Sequence, residues 1–379
     1  GSSTLEIKNV LVGEVWFCSG QSNMEWTVSR SNNPKEEIAA GNHPNIRHIK
    51  FPHTTADKPQ AQAKTQGWTL TTPQTVANYT AVGYYFALNL QKELKVPIGL
   101  IGCNWGGTRI EPWTPAEGFK AVPALKASHA DKLNQFAQGK PGRGTPTHMH
   151  NAMISPLLPY AIKGAIWYQG ESNNGEGMLY HEKMKALIYG WRKVFNNPDM
   201  PFHFVQLAPY RYNRPEALPG IWQAQLKTLE VKNTGMAVTV DIGNTGNIHP
   251  KNKKDVGARL ALWALKHDYG KDLLAHGPLY KEHKIVGGKV HLSFDYANGL
   301  KARGGGPLKR FEIAGADRMW HWADADIQGG SIVVSSSKVS EPAAVRYAWC
   351  SNPEGANLVN SEGLPASVFR TDDWKIEGQ

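Results

Sequence analysis

Three polar, glycine-containing segments carry residue types that acyl-transfer chemistry requires. They lie around Ser22, around Gly106 and Gly107, and around Gln169 and Glu171. A serine hydroxyl is a weak nucleophile, so it needs a neighbouring general base. The charge that develops on the acyl oxygen also needs fixed amide donors. The residue types therefore indicate serine-dependent acyl transfer.

Ser22 is the candidate nucleophile and His249 the candidate base. Gly20 permits a sharp turn before Ser22, and a helical turn after Asn23 would aim amide N–H groups at an oxyanion. His249 follows a predicted strand and precedes a predicted amphipathic helix, and Pro250 restricts its backbone. An imidazole titrates near about pH 6.5, which suits general-base catalysis.

We expect the oxyanion hole to combine three kinds of donor. These are the backbone N–H of Ser22, the backbone N–H of Gly106 or Gly107, and the side-chain amide of Gln169. Each segment alone is typical of an ordinary loop. The order serine, glycine, glutamine and histidine along the chain makes the combination more specific.

The elements that position these residues form an alternating pattern. Short apolar runs at 10–18, 98–103, 163–168, 202–207 and 236–241 predict strands, and helical periodicity appears at 79–94, 178–194 and 252–266. This alternation is typical of a parallel α/β sheet, whose ligands bind beyond the carboxyl ends of the strands. The three polar segments follow three of these strands, so we expect them to converge on one crevice.

The pattern changes after about residue 272, where short alternating segments predict antiparallel strands. We therefore predict a catalytic α/β domain over residues 1–272. Residues 273–379 are predicted to form a β-rich region packed on it.

Composition excludes several classes of protein. The 379 residues are 41% hydrophobic and include 13 tryptophans, which indicates a sizeable core and is compatible with stacking on sugar rings. The net charge of +10 comes from scattered lysines and arginines, so we expect no nucleic-acid partner. No apolar run approaches the roughly 18–20 residues of a membrane helix, so no membrane insertion is expected. Cys18, Cys103 and Cys350 lack zinc-ligand spacing; buried free thiols are expected, and one disulfide stays open.

Four blocks of sequence then support a family resemblance. They are 20–25 (GQSNME), 105–108 (WGGT), 166–173 (IWYQGESN) and 248–250 (IHP) with Asn252 and Lys253. Together with C-terminal segments 346–349, 362–367 and 369–374, they resemble the sialate O-acetylesterase family. That family is related to the acetyl xylan esterases of carbohydrate esterase family 6 within the SGNH superfamily. The resemblance spans almost the whole chain.

The resemblance implies an SGNH-hydrolase-like (flavodoxin-like) three-layer α/β/α fold and hydrolysis of O-acetyl esters on a carbohydrate. It implies no metal or organic cofactor, an acetylated carbohydrate as partner, and a secreted or periplasmic location, although no signal peptide is present. Longer family members carry a further β domain before the nucleophile block. Here only residues 4–9 precede the first predicted strand, which indicates a missing segment or a naturally short form.

The acid of the catalytic group departs from the family pattern. Members often carry aspartate two residues before the histidine, but Asn247 stands there, and an amide cannot stabilise an imidazolium as a carboxylate does. The acetyl xylan esterase relatives imply Glu171 instead, so we predict a Ser22–His249–Glu171 triad. Asn247 would then orient the histidine, and Asp241 is a weaker alternative acid. A Ser–His dyad stays open.

The substrate and two other functions also stay open. Sialic acid and xylan-type polysaccharide both fit the resemblance, and Arg109 is a candidate contact for a sugar carboxylate. The alternatives are a non-catalytic carbohydrate-binding relative and a general short-chain carboxylesterase or lipase, although the G-x-S-x-G motif of lipases is missing. The side chains expected to line the substrate pocket are Gln21, Asn23, Arg109, Trp113 and Asn151, with Trp26 and Trp105 as further candidates.

Overall fold

The computed structural model describes residue 4 and the ranges 6–214 and 217–375. Its centre is a seven-stranded sheet, which confirms the predicted α/β class. The strands are β1 (Glu14–Gly20), β2 (His43–Lys50), β3 (Thr69–Thr71), β4 (Ile98–Asn104), β5 (Gly164–Tyr168), β6 (Phe202–Val205) and β7 (Thr234–Ala237). They lie in the order β3-β2-β4-β1-β5-β6-β7, and all neighbours are parallel except β2 and β3.

Helices form the outer layers of this fold. The helix pair α3 (Ala81–Leu94) and α8 (Lys253–His267) is packed together, and α6 (Leu179–Val194) packs on α4 (Ala116–Ala121) and α7 (Ala217–Lys227). The shorter helices are α1 (Ser22–Glu25), α2 (Pro34–Ala39) and α5 (Leu133–Gln138). Within the described ranges, no helix has the length and apolar character that a bilayer crossing requires.

The close packing of α3 and α8 depends on Gly257. A Cβ at that position would lie 2.7 Å from the Phe86 nitrogen and 2.7 Å from the Val82 oxygen, both backbone atoms of α3. Any larger residue would push the helices apart. This contact fixes α8, whose first turn follows His249 in the chain.

The C-terminal part contains antiparallel sheets, as predicted. Strands of a four-stranded sheet are β8 (Leu279–Val286), β9 (Lys289–Asp295), β13 (Asp324–Gln328) and β14 (Ser331–Ser335). A second four-stranded sheet contains β11 (Phe311–Ala314), β12 (Trp320–Trp322), β15 (Ala344–Tyr347) and β17 (Phe369–Arg370), and β10 (Lys301–Ala302) pairs with β16 (Leu358–Val359). One apolar cluster joins residues of both parts, such as Trp16 and Phe369.

The boundary between two domains at residues 272 and 273 stays a prediction. The first C-terminal strand begins at Leu279, after α8 ends at His267. Both predicted domains extend to chain ends, at 1–3, 5 and 376–379, that lie outside the described residues.

Several strands differ from the sequence prediction: β3 was not predicted, β6 ends at Val205 rather than at 207, and β7 spans Thr234–Ala237 rather than 236–241. The first strand begins at Glu14 rather than Val10, because Val10 and Val12 are 64% and 89% exposed and pair with no neighbouring strand. Strand β2 was not predicted, because its eight residues (HPNIRHIK) show neither a continuous apolar run nor strict alternation. Cys18 and Cys103 lie buried as free thiols, which confirms that expectation.

Candidate active site

Ser22 lies at the carboxyl end of the central strand β1, on a turn that only glycine permits. Gly20 has a φ of 139°, and a Cβ there would lie 2.2 Å from the Tyr168 backbone oxygen. The Gln21 N–H donates to that same oxygen, and α1 then begins at Ser22. The serine hydroxyl therefore stands at the N-terminal turn of a helix, where backbone N–H groups lack intrahelical partners.

The predicted nucleophile and base are brought together. The His249 Nε2 lies 2.7 Å from the Ser22 Oγ, across 227 residues of sequence. The imidazole stacks on Trp26, with ring centroids 5.0 Å apart and an interplanar angle of 16°. Hydrogen bond and stack together fix the ring in a position from which Nε2 can accept the serine proton.

The surroundings of His249 favour its neutral form. Burial, followed by the charges of Lys253 and Arg30, lowers the pKa of the imidazole below its ordinary value. The Arg30 guanidinium carbon lies 3.8 Å from the centroid of the Trp26 ring that stacks on His249. A neutral imidazole at neutral pH is the form that a general base requires.

Glu171 is close to the catalytic pair but does not contact the histidine. Its Oε1 accepts a hydrogen bond from the Asn23 Nδ2 at 2.5 Å, and its Oε2 is buried with no hydrogen-bond partner. Among the described residues, no hydrogen bond or ion pair joins Glu171 to His249. Burial raises the pKa of Glu171, although Asn23 and Lys253 oppose that rise. The direct acid–imidazole contact of the predicted triad is therefore absent.

Neither alternative acid position contacts the imidazole. The Asn247 Oδ1 accepts a hydrogen bond from the backbone N–H of His249 at 2.9 Å, so it shapes the loop rather than the ring. The Asp241 carboxylate is paired with Arg259 at 2.6 Å and with Arg303 at 2.5 Å. Those arginines hold the pKa of Asp241 below its usual value despite burial.

The oxyanion donors differ in part from the prediction. Gln169 is fully buried, and its side-chain amide donates to Gln21, Thr108 and Asn173, so it cannot face a substrate. The Gly106 N–H donates to the Glu25 Oε2 at 2.8 Å. The backbone N–H groups of Ser22 and Gly107 form no hydrogen bond with any described residue. These two remain as donors.

The side chains expected to line the substrate pocket form hydrogen bonds or ion pairs within the protein. Trp113 is fully buried and donates to Thr108, and the Asn151 amide donates to two backbone oxygens. The Gln21 Oε1 accepts from Gln169 and from the Ser172 N–H, and Asn23 is 1% exposed. Arg109 is paired with Glu111 and Glu176. Each of these five groups has partners inside the protein, and its contact with a substrate stays a prediction.

Four side chains at the site were not predicted in these roles. Glu25 pairs with His53 at 2.8 Å, His53 stacks on Trp105 with centroids 4.5 Å apart, and Lys253 donates to the Asn23 Oδ1 at 2.5 Å. Trp26, expected in the pocket wall, instead supports the imidazole. The sequence signal for that role is the position of Trp26, which follows Ser22 by four residues at the end of a short helix.

A cavity of about 610 Å³ lies at the carboxyl end of β2, where Lys50 and Phe51 line it. His53 forms part of its wall, and through Glu25 and Gly106 it adjoins the nucleophile. Lys50 and Lys64 also line the cavity, and no described aspartate or glutamate does. Neither Ser22 nor His249 lines the cavity, so its cationic and polar groups are connected to the nucleophile segment through His53 and Glu25.

Known proteins are similar to this chain in sequence and in fold. The sequence model of the family described as "Carbohydrate esterase, sialic acid-specific acetylesterase" matches residues 12–266. The sialate O-acetylesterase of Rattus norvegicus is 32% identical over 97% of this chain and 78% of that protein. The chain belongs to this esterase family.

Two further relatives support that assignment. The Homo sapiens sialate O-acetylesterase is 31% identical over 97% of this chain and 76% of its own length. The crystal structure of a carbohydrate acetylesterase from Xanthomonas citri is 40% identical, with a TM-score of 0.88 over 98% of this chain and 83% of that one. The esterase described here is accordingly a carboxylic ester hydrolase of the carbohydrate esterase type.

Proposed function

We propose that this esterase removes O-acetyl groups from a glycan through an acetyl-enzyme on Ser22. The observation that carries the proposal is the 2.7 Å contact between the Ser22 Oγ and the His249 Nε2 at the N-terminus of α1. His249 takes the serine proton as Oγ attacks the acetyl carbonyl. The imidazolium then protonates the departing sugar oxygen, which leaves as a hydroxyl group, and a water deprotonated by the same imidazole attacks the acetyl-enzyme and releases acetate.

The tetrahedral oxyanion would be held by the backbone N–H groups of Ser22 and Gly107. Both groups are free of other bonds among the described residues, whereas Gly106 and Gln169 are already engaged. Preorganised backbone donors are effective because they need no reorientation when the charge develops.

Glu171 supports this catalytic group indirectly, through Asn23. Its carboxylate binds the Asn23 side chain, and the same Asn23 Nδ2 donates to the Ile248 oxygen at 2.9 Å, one residue before His249. The reaction as proposed is therefore a Ser–His pair whose histidine loop is held through Asn23 by a buried acid.

The cavity that His53 and Glu25 connect to the site favours an acidic sugar as substrate. Lys50 and Lys64 line it without a carboxylate partner among the described residues, so a sugar carboxylate would neutralise them. Of the two substrate classes left open by the sequence, O-acetylated sialic acid meets this condition in every unit. Xylan meets it only where glucuronic acid side chains occur.

Acetate release tests the proposal. Wild type and Ser22→Ala would be assayed on O-acetylated sialic acid, acetylated xylan and an aryl acetate. We expect Ser22→Ala to lose at least about 10³-fold in kcat on all three, and the wild type to prefer the acidic sugar. Full activity of Ser22→Ala, or a folded wild type that releases no acetate, would contradict the esterase mechanism. Glycan binding without turnover would favour the non-catalytic alternative.

Three expectations stay predictions: the lack of a metal or organic cofactor, the lack of a nucleic-acid partner, and the secreted or periplasmic location.

A further inference from the structure

Lys253 is a buried cation in an unfavourable position. It is 0% exposed and is the first residue of α8, where the helix macrodipole presents its positive end. Burying a charge is costly unless partners compensate. Burial accordingly lowers the pKa of Lys253 to about 7, although Glu171 opposes the shift. Because burying this charge costs free energy, its position beside Ser22 and His249 indicates a role in the reaction.

The contacts of Lys253 all lie at the catalytic pair. Its Nζ donates to the Asn23 Oδ1 at 2.5 Å and lies 5.4 Å from the Tyr168 ring centroid and 5.7 Å from that of Trp26. No described carboxylate forms an ion pair with it. Lys253 is thus bound to the protein through one amide and two aromatic faces.

Asn23 joins Lys253 to the histidine loop. Its oxygen accepts from Lys253, while its Nδ2 donates to Glu171 and to the Ile248 backbone oxygen. A donor on one side and two acceptors on the other permit only one orientation of this amide. Asn23 directly follows Ser22 and Ile248 directly precedes His249, so that orientation couples the two reacting groups.

We propose that Lys253 is a positioning residue that acts through Asn23 to hold His249 beside Ser22. This inference rests on the proposed esterase mechanism. Without the ammonium group, the Asn23 amide can turn, release Ile248 and let the imidazole move. A displacement of about 1 Å at a reacting group costs on the order of 100-fold in rate.

The charge of Lys253 has a second consequence for His249. The charged groups facing this imidazole are Lys253 from α8 and Arg30 on the far face of Trp26; Glu171 faces Lys253 rather than the ring. Because Lys253 lowers the pKa of His249, removing the charge raises that pKa. The acid limb of kcat/KM then moves to higher pH, since the free base must be neutral.

The test compares Lys253→Met with Lys254→Met, which removes an exposed lysine from the same turn of α8. Kinetics on an aryl acetate would be measured across pH. We expect Lys253→Met to lose about 10- to 100-fold in kcat, with KM changed by less than about threefold and the acid limb moved upward. Lys254 pairs with the surface residue Glu37, so Lys254→Met should match wild type.

A double-mutant cycle decides whether Lys253 acts through Asn23. If it does, Asn23→Ala combined with Lys253→Met is no slower than Asn23→Ala alone, within about threefold. Losses in kcat that multiply in the double variant would overturn the proposal. So would an acid limb that stays at the wild-type pH while only the fraction of active enzyme falls. Lys253→Arg keeps the positive charge, so the acid limb of its pH profile should stay at the wild-type position. This variant keeps the proposal testable if Lys253→Met folds poorly. Wild type without any acetate release would instead reject the esterase mechanism itself.

Discussion

Two buried charge networks flank the crevice, and they are built in different ways. In the first, the Lys183 Nζ contacts Glu111 at 2.7 Å and Glu176 at 2.8 Å, and Arg109 contacts both carboxylates. This group is called the closed network. The second is the open network of Glu171, Asn23 and Lys253, in which an amide separates the carboxylate from the ammonium group.

The difference appears in the carboxylates themselves. Burial alone raises the pKa of Glu111, but Lys183 and Arg109 more than offset it and hold that pKa below its ordinary value. Burial raises the pKa of Glu171, and no direct cation reverses the shift. A closed network stabilises the loops that it joins. The open network leaves the carboxylate and the ammonium group without a direct counter-ion beside Ser22 and His249, which is the arrangement that our proposal connects with catalysis.

The largest expected effect comes from changing the open network at Glu171. Glu171→Gln keeps one acceptor oxygen for Asn23 but removes the negative charge that faces Asn23 and Lys253, so we expect kcat/KM to fall by about 10³-fold. Glu111→Gln is the matched control, the same substitution in the closed network, and should stay within about tenfold of wild type when folded. The measurement is acetate release from an aryl acetate. Equal losses in the two variants would contradict the distinction between the networks.

The closed network should instead determine stability. Lys183→Met leaves the buried Glu111 and the partly buried Glu176 with only the half-exposed Arg109 as a cation, so we expect the free energy of unfolding to fall by about 3 kcal/mol. Urea unfolding followed by fluorescence measures this loss. A loss below about 1 kcal/mol would show that the closed network contributes little. Activity of the folded fraction should stay close to that of wild type.

The two networks should affect stability at acid pH differently, because the pKa of Glu111 is lowered whereas that of Glu171 is raised. The folded pKa of Glu111 is depressed, so its contribution is present above its ordinary value of 4.5 and is lost as pH falls through the folded pKa. We expect the free energy of unfolding of Glu111→Gln to depend less on pH below 4.5 than that of wild type. Parallel pH slopes for the two proteins would contradict this assignment.

The smallest effect is expected at Arg109. Arg109→Ala removes a half-exposed member of the closed network, so we expect a loss of about 1 kcal/mol in stability. KM for O-acetylated sialic acid should change by less than about twofold, because the guanidinium is engaged with Glu111 and Glu176. A tenfold rise in KM for the acidic substrate alone would restore Arg109 as a substrate contact.

Much of the architecture could be predicted because it depends on local patterns. The predicted strand at 98–103 and the structure's β4 differ by one residue, and the predicted helix at 252–266 matches α8 to within one residue. Their apolar periodicity is visible within one segment. Strand β2 lacked that periodicity, because only its pairing with β4 decides which residues face the core.

The proximity of Ser22 and His249 was predictable for a similar local reason, since each stands in a distinctive segment that comes after a strand. The partners of Glu171 and Gln169 were not. A buried polar group binds whatever donor or acceptor the packed fold brings to it. Asn23 and Glu171 are 148 residues apart in sequence, and Asn23 and Lys253 are 230 apart.

The sequence by itself determined the fold class and the family, and it singled out Ser22 and His249, because strand patterns and short motifs specify them. Only the tertiary structure decided that Gln169 lies in the interior, that Glu25 takes the Gly106 amide, and that Asn23 stands between Glu171 and Lys253. The physical reason is that hydrogen-bond geometry is sensitive to tenths of an ångström. Positions at that precision arise when the β1 turn, the histidine loop and the first turn of α8 pack against each other.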